Sequence, residues 1–127
     1  MLAMGAGIVI FAHGSSVASA NEAVRAVAQA ASEAGGFPQC EVAFLDFPPT
    51  LEQAVAALAA RGITRILVIP YFLTLGIHLQ RDLPDIVSQL SRAHPGIEIR
   101  VTPPLDGHPA LAQILVDRAQ QALGTGD

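Results

Sequence analysis

The sequence predicts an α/β fold: a four-stranded parallel sheet with helices on both faces. Three observations carry this. Short apolar runs alternate four times with helix-patterned stretches, in β-α order throughout. The runs are continuously apolar, as in strands buried on both faces, and such strands are joined by crossover helices. The chain is 51% apolar and 14% charged over 127 residues, which suits one domain spanning 1–127.

Gly7 to Ala12 (GIVIFA) is the first strand, a β-branched run. Asn21 opens the first helix, with Val24, Val27, Ala28 and Ala31 on one stripe, and Gly35-Gly36 stops it. Glu41 to Leu45 is the second strand, after which Pro48-Pro49 breaks the chain. Thr50 and Gln53 form a T-x-x-Q capping box before a helix whose apolar face is Leu51, Ala54, Val55 and Leu58. Gly62 ends that helix, and Ile63 to Ile69 is the third strand. Pro84 is the first residue of a third helix, with Ile86, Val87 and Leu90 inward, and His94-Pro95-Gly96 ends it. Ile97 to Val101 is the fourth strand. Pro109 starts the last helix, with Leu111, Ile114 and Leu115 facing the core, and the tail GTGD frays. The first and third strands are the central ones. A strand order of 2-1-3-4 makes them neighbours and puts the topological switch point between them.

Composition excludes several classes. Net charge is −4 and all seven basic residues are arginine, with no basic block for a nucleic acid. The longest uncharged apolar run, Ile66 to Leu79, is too short for a membrane span and holds Pro70, Gly76 and His78. The N-terminal MLAMGAGIVIFA lacks the basic region of a signal peptide. Cys40 is the sole cysteine, so there is no intrachain disulfide and no cysteine zinc site. These features predict a soluble, cytoplasmic protein without nucleic-acid or membrane partners.

The ligand crevice of such a sheet lies beyond the carboxyl ends of the strands. Three metal-capable side chains fall there: His13 after the first strand, Asp46 after the second, and His78 in the loop after the third. Two imidazoles and a carboxylate suit Fe²⁺, Co²⁺, Ni²⁺ or Zn²⁺, and a neutral imidazole can accept a proton. Each has a plainer reading: the histidines as hydrogen-bonded structural residues, Asp46 as the cap of the Pro-Pro turn. Gly14-Ser15-Ser16 is either a flexible connection or a set of backbone N–H groups that could hold a carboxylate. It has neither P-loop nor G-x-S-x-G spacing. Tyr71 is core or a flat wall, and Arg81 with Asp82 is a solvated pair or part of a rim. His94 and His108 are read as helix-end residues, and Cys40 as a small hydrophobe.

Several motifs recur together: HGS at 13–15, AFLD at 43–46 followed by Pro49, P-x-F-L-x-x-G-x-H at 70–78, RDLP at 81–84, HPG at 94–96 and PL-x-x-HP at 104–109. On these residues the chain resembles, over nearly its whole length, the small single-domain sirohydrochlorin chelatases of the CbiX type. The resemblance implies insertion of a divalent metal substrate, Co²⁺ or Fe²⁺ with Ni²⁺ as a further candidate, into sirohydrochlorin. No organic cofactor is implied, and the product leads to cobalamin or sirohaem. The motif histidines fall on His13 and His78, which bind the metal and serve proton transfer. The third metal position, usually glutamate, is Asp46, and Ser16 replaces an arginine often found after HGS. Gly14, Ser15, Ser16, Tyr71, Leu75, Gly76 and Arg81 then fall around the substrate. Leu75, with Leu73, Ile77 and Leu79, would give the apolar wall a macrocycle needs. Small members pair as homodimers, which is expected here too. The competing class is a metal or tetrapyrrole carrier of the same fold that binds without turnover. A generic receiver-type domain would instead show an acidic pair where His13-Gly14 stands.

Overall fold

A computed structural model describes residues 5–124. Their elements run β1 (Ala6–Ala12), α1 (Ala18–Gly35), β2 (Cys40–Phe44), α2 (Leu51–Ala60), β3 (Arg65–Pro70), α3 (Ile77–Ala93), β4 (Glu98–Val101) and α4 (Ala110–Gly124). The four strands form one sheet in the order β2-β1-β3-β4, every pair parallel, as expected. All seven residues of β1 are buried, because it has neighbours on both edges and helices on both faces.

Alternation along the strands divides the core. Val9, Phe11, Ile66 and Val68 pack with Leu51, Ala54, Val55 and Leu58 of α2 and with Leu83 and Leu90 of α3. Ile8 and Ile10 face the other way, toward Ala28 and Val24 of α1. Burying each of the larger aliphatic side chains contributes about 1.5–3 kcal/mol. Gly7 lets α2 approach β1 closely, since a Cβ there would stand 2.8 Å from Leu58 Cδ1. The capping box of α2 forms as expected: Gln53 N–H donates to Thr50 Oγ1 at 3.2 Å, and Thr50 N–H donates to Gln53 Oε1 at 2.9 Å.

Four expectations need correction. First, α3 starts at Ile77, not Pro84, so Pro84 is an interior residue and His78 is helical. Gly76 is extended (φ −67°, ψ 165°) and its carbonyl accepts Gln80 N–H at 2.9 Å, which begins the helix a full two turns early. Pro84 removes only the donor that would have met the Gln80 carbonyl, a defect the packed Leu83 and Leu90 outweigh. Second, α4 has no buried residue, and Ile114 and Leu115 are 49% and 71% exposed instead of facing the core. Third, Val27 is exposed, because α1 meets the sheet through the narrower stripe of Val24 and Ala28. Fourth, α1 begins at Ala18, ahead of Asn21. The tail expected to fray, 124–127, lies outside the described residues except for Gly124, which ends α4. No helix among the described residues is long and apolar enough to cross a membrane.

Candidate functional site

The backbone of β1 delivers His13 to the carboxyl edge of the sheet. Pairing with β2 continues past the strand ends: Leu45 N–H donates to Ala12 O at 2.9 Å and Asp46 N–H to His13 O at 3.1 Å. That register sets Asp46 beside His13. Asp46 Oδ2 stands 3.3 Å from His13 Nδ1, and Gly14 O is also 3.3 Å from the same nitrogen. Two oxygens beside Nδ1 favour the tautomer with its proton there, which leaves the Nε2 lone pair to serve as a base or metal ligand. The His13 ring meets Phe72 edge to face, with centroids 6.3 Å apart.

His78 reaches the site from the first turn of α3. Arg81, one turn on, donates from its guanidinium to His78 Nδ1 at 3.1 Å. Arg81 also lies 3.7 Å from Asp82 Oδ1. His13 and His78 line a single open cavity of about 320 Å³ together with Leu45, Phe72, Ile77 and Asp82. Its volume is at the small end for a ligand pocket. The walls are mostly apolar, with two imidazoles and one carboxylate set into them.

The expected three-ligand cluster of His13, Asp46 and His78 is not assembled. Among the described residues no group of three or more His, Cys, Asp or Glu side chains could hold one metal ion. Asp46 contacts His13 and is not part of the cavity lining, whereas Asp82 is. Sequence reading takes Asp82 only as the partner of Arg81 in a solvated pair or a rim; the helix start places it on the cavity. With α3 beginning at Ile77, His78, Asp82 and Ile86 recur every four residues and share one face, all three on the cavity.

The other expected contacts divide. Gly14 is required by its backbone: φ is +90°, and a Cβ would stand 2.8 Å from Phe47 Cδ2 and 3.2 Å from Phe44 Cβ. The anion-binding reading of the loop meets an obstacle. Ser15 N–H is taken by Asn21 Oδ1 at 2.9 Å and Val17 N–H by Ser15 Oγ at 3.0 Å, so these amides already have acceptors. Ser16 is exposed at the loop's tip. Gly76 and Ile77 line the cavity, as does Leu79. Tyr71 packs instead with the α1-side cluster, Leu75 packs against the core on the α3 side, and Leu73 is exposed. His108 caps α4 by accepting Ala110 N–H on Nδ1 at 3.0 Å, and His94 is the C-cap of α3. Cys40 is half-buried, with its thiol pushed up first by burial and then by the charge of Glu41.

Comparison with known proteins places the chain in a family. The CbiX family model covers residues 7–122. A sirohydrochlorin cobaltochelatase of Methanopyrus kandleri is 29% identical, over 92% of this chain and 96% of its own length. The chloroplastic sirohydrochlorin ferrochelatase of Arabidopsis thaliana is 30% identical over 92% of this chain, which spans 52% of that protein. Among solved structures, a CbiX protein from Marinobacter aquaeolei VT8 superposes with a TM-score of 0.83 at 28% identity, covering 94% of this chain and 98% of that one. The cobalt complex of the sirohydrochlorin chelatase SirB from Bacillus subtilis subspecies spizizenii gives 0.72 at 28% identity, covering 80% and 44%. With its sheet order, its paired edge histidines and a family match across nearly all of its length, this chain belongs to the CbiX family.

Proposed function

We propose that this chain is a metal chelatase that inserts Co²⁺ or Fe²⁺ into sirohydrochlorin, working as one lobe over residues 1–127 in the cytoplasm. The observation that carries the proposal is one apolar cavity at the β1/β3 edge holding both His13 and His78. Insertion exchanges two pyrrole N–H protons for one divalent ion. The two protons need acceptors, and the ion needs donors that bind it weakly enough to let go. His13 Nε2, with its tautomer held by Asp46, accepts the first proton. Asp82, the carboxylate within the cavity, accepts the second. His78 meets the ion once its ring turns away from Arg81, and Asp46 acts through His13 as a positioning residue. An open site with few donors suits a metal that is cargo, unlike the closed four-ligand cage of a structural ion.

Gly14, Gly76, Ile77 and Leu79 form the contact surface for the macrocycle, and Arg81 stands at its rim. One lobe supplies one wall, so a second copy supplies the facing wall, and we propose a homodimer. The product serves cobalamin or sirohaem synthesis. The test is an absorbance assay with sirohydrochlorin and Co²⁺, Fe²⁺ or Ni²⁺ in parallel. The parent should insert at least one of these, and His13→Ala and His78→Ala should each lose about 10²–10⁴-fold. Either variant at the parent rate would remove that histidine from the site.

A further inference from the structure

Helix α4 is built to be covered and is not. Its residues Leu111, Leu115, Ala119 and Ala122 recur at helical spacing on one face, flanked by Leu123 on one side and by Arg118 and then Ile114 on the other, with Gln113 and Asp117 opposite. Yet only Leu111 is even half-buried, and Leu123 is 73% exposed.

The sheet carries the matching vacancy. Right-handed crossovers place α1 on one face and α2 with α3 on the other, so the half of α1's face over β3 and β4 falls to whatever follows β4. That half is an open groove of about 500 Å³ with Ile8, Phe37, Leu67 and Ile69 at its floor and Arg65 and Arg100 at its rim. The burial pattern of β3 records it: Ile66 and Val68 are buried, whereas Leu67 and Ile69 are only half so.

The chain's own α4 is held off this groove by its connection. Leu105 N–H donates to Phe72 O at 2.9 Å and Asp106 N–H to Leu73 O at 2.8 Å, which ties the segment to the loop after β3. His108 then caps the helix directly, leaving almost no slack between the tie and Ala110. We propose that two copies exchange α4, each helix lying in the other copy's groove. The exchange is isologous and closes with two-fold symmetry.

Area supports it. Fifteen residues make a helix about 22 Å long and about 10 Å wide, half of whose lateral surface is about 350 Å². Two helices and two grooves together bury about 1,400 Å², inside the range of about 1,200–2,000 Å² for a specific complex. The inference rests on the homodimer reading and is independent of the chemistry proposed for the edge.

Two measurements test it. Light scattering at micromolar concentration should give twice 13.2 kDa for the parent and 13.2 kDa for the double variant Ile114→Asp/Leu115→Asp. Carboxylates placed against the apolar groove should weaken self-association about a hundredfold or more. Both side chains are exposed within one chain, so far-UV circular dichroism should show the variant folded. A monomeric parent, or a variant that stays dimeric, overturns the proposal. The second measurement separates exchange from a helix that folds back on its own chain. In a Cys40→Ser background, Leu67→Cys protein is mixed with Leu115→Cys, Val116→Cys or Ala119→Cys protein and oxidised. A disulfide-linked band of both chains is expected from at least one mixture, and its absence from all three overturns the exchange. Neither readout measures metal insertion: a monomeric parent that inserts metal would sink the exchange and leave the chelatase reading standing.

Discussion

Removing the Asp46 carboxylate tests whether it acts through His13. Asp46→Ala deletes the oxygen 3.3 Å from His13 Nδ1 and leaves Gly14 O as that nitrogen's acceptor. The two side chains are 63% and 54% exposed, so their attraction is worth at most about 1 kcal/mol. That corresponds to about a fivefold effect. Loss of a partner that orients a metal-site histidine costs about 10–100-fold. The exposure places this pair at the lower limit, and the expected loss in kcat/KM is about five- to tenfold. The loss should fall on kcat, with KM for sirohydrochlorin unchanged, because Asp46 does not line the cavity. Asp46→Glu, which restores a carboxylate on a longer arm, should stay within about twofold of the parent or exceed it. His13→Ala should cost far more, since it removes the base itself. Initial rates of Co²⁺ insertion, followed by absorbance on variants matched for folding by circular dichroism, supply the numbers. A folded Asp46→Ala variant that inserts metal at the parent rate would refute the positioning role. A rise in KM at constant kcat would assign Asp46 to substrate binding.

Other outcomes follow from the same structure. Thr50→Ala breaks the reciprocal cap of α2 and should lower stability by about 1 kcal/mol in urea unfolding. Gly14→Ala forces a left-handed φ on a residue with a Cβ and drives it against Phe47, so unfolding should show a loss of about 1–3 kcal/mol. The Cys40 thiol is raised above its ordinary 9.0 by burial and by Glu41, so the neutral thiol is the form the fold favours. Its contribution to stability is full below pH 9.0 and is lost as pH rises through the folded value. An alkaline fall in the unfolding midpoint that is smaller in Cys40→Ala is therefore expected, with slow alkylation of the native thiol near pH 8.

Much of the fold is legible in the sequence because its signals are local. The continuous run GIVIFA marks a central strand, and Thr50 with Gln53 marks a helix start that the hydrogen bonds reproduce. The start of α3 is not legible in the same way. Pro84 is a strong local signal for a first turn, but an extended Gly76 and the packing of Leu83 and Leu90 override it. That one displacement separates the rim reading of Asp82 from its actual place on the cavity, which depends on sharing a helical face with His78. The face of α4 was misread for another reason. Its apolar pattern is real, but pattern alone cannot say which sheet an amphipathic helix covers, and here it does not cover its own. His13 and His78 meet at one edge because topology puts the end of β1 and the segment after β3 there. The hydrogen bond that Arg81 makes to His78 depends on a helical spacing visible only once α3 is registered.

Turnover tests the central claim most directly. Purified protein is incubated with sirohydrochlorin and Co²⁺, both in large excess over protein, and metallated product is counted per chain. The edge cavity with His13 and His78 predicts many products per chain at a steady rate, lost in His13→Ala. Product or bound complex that stops at one equivalent per chain, with no further insertion, would make the protein a carrier and contradict the account.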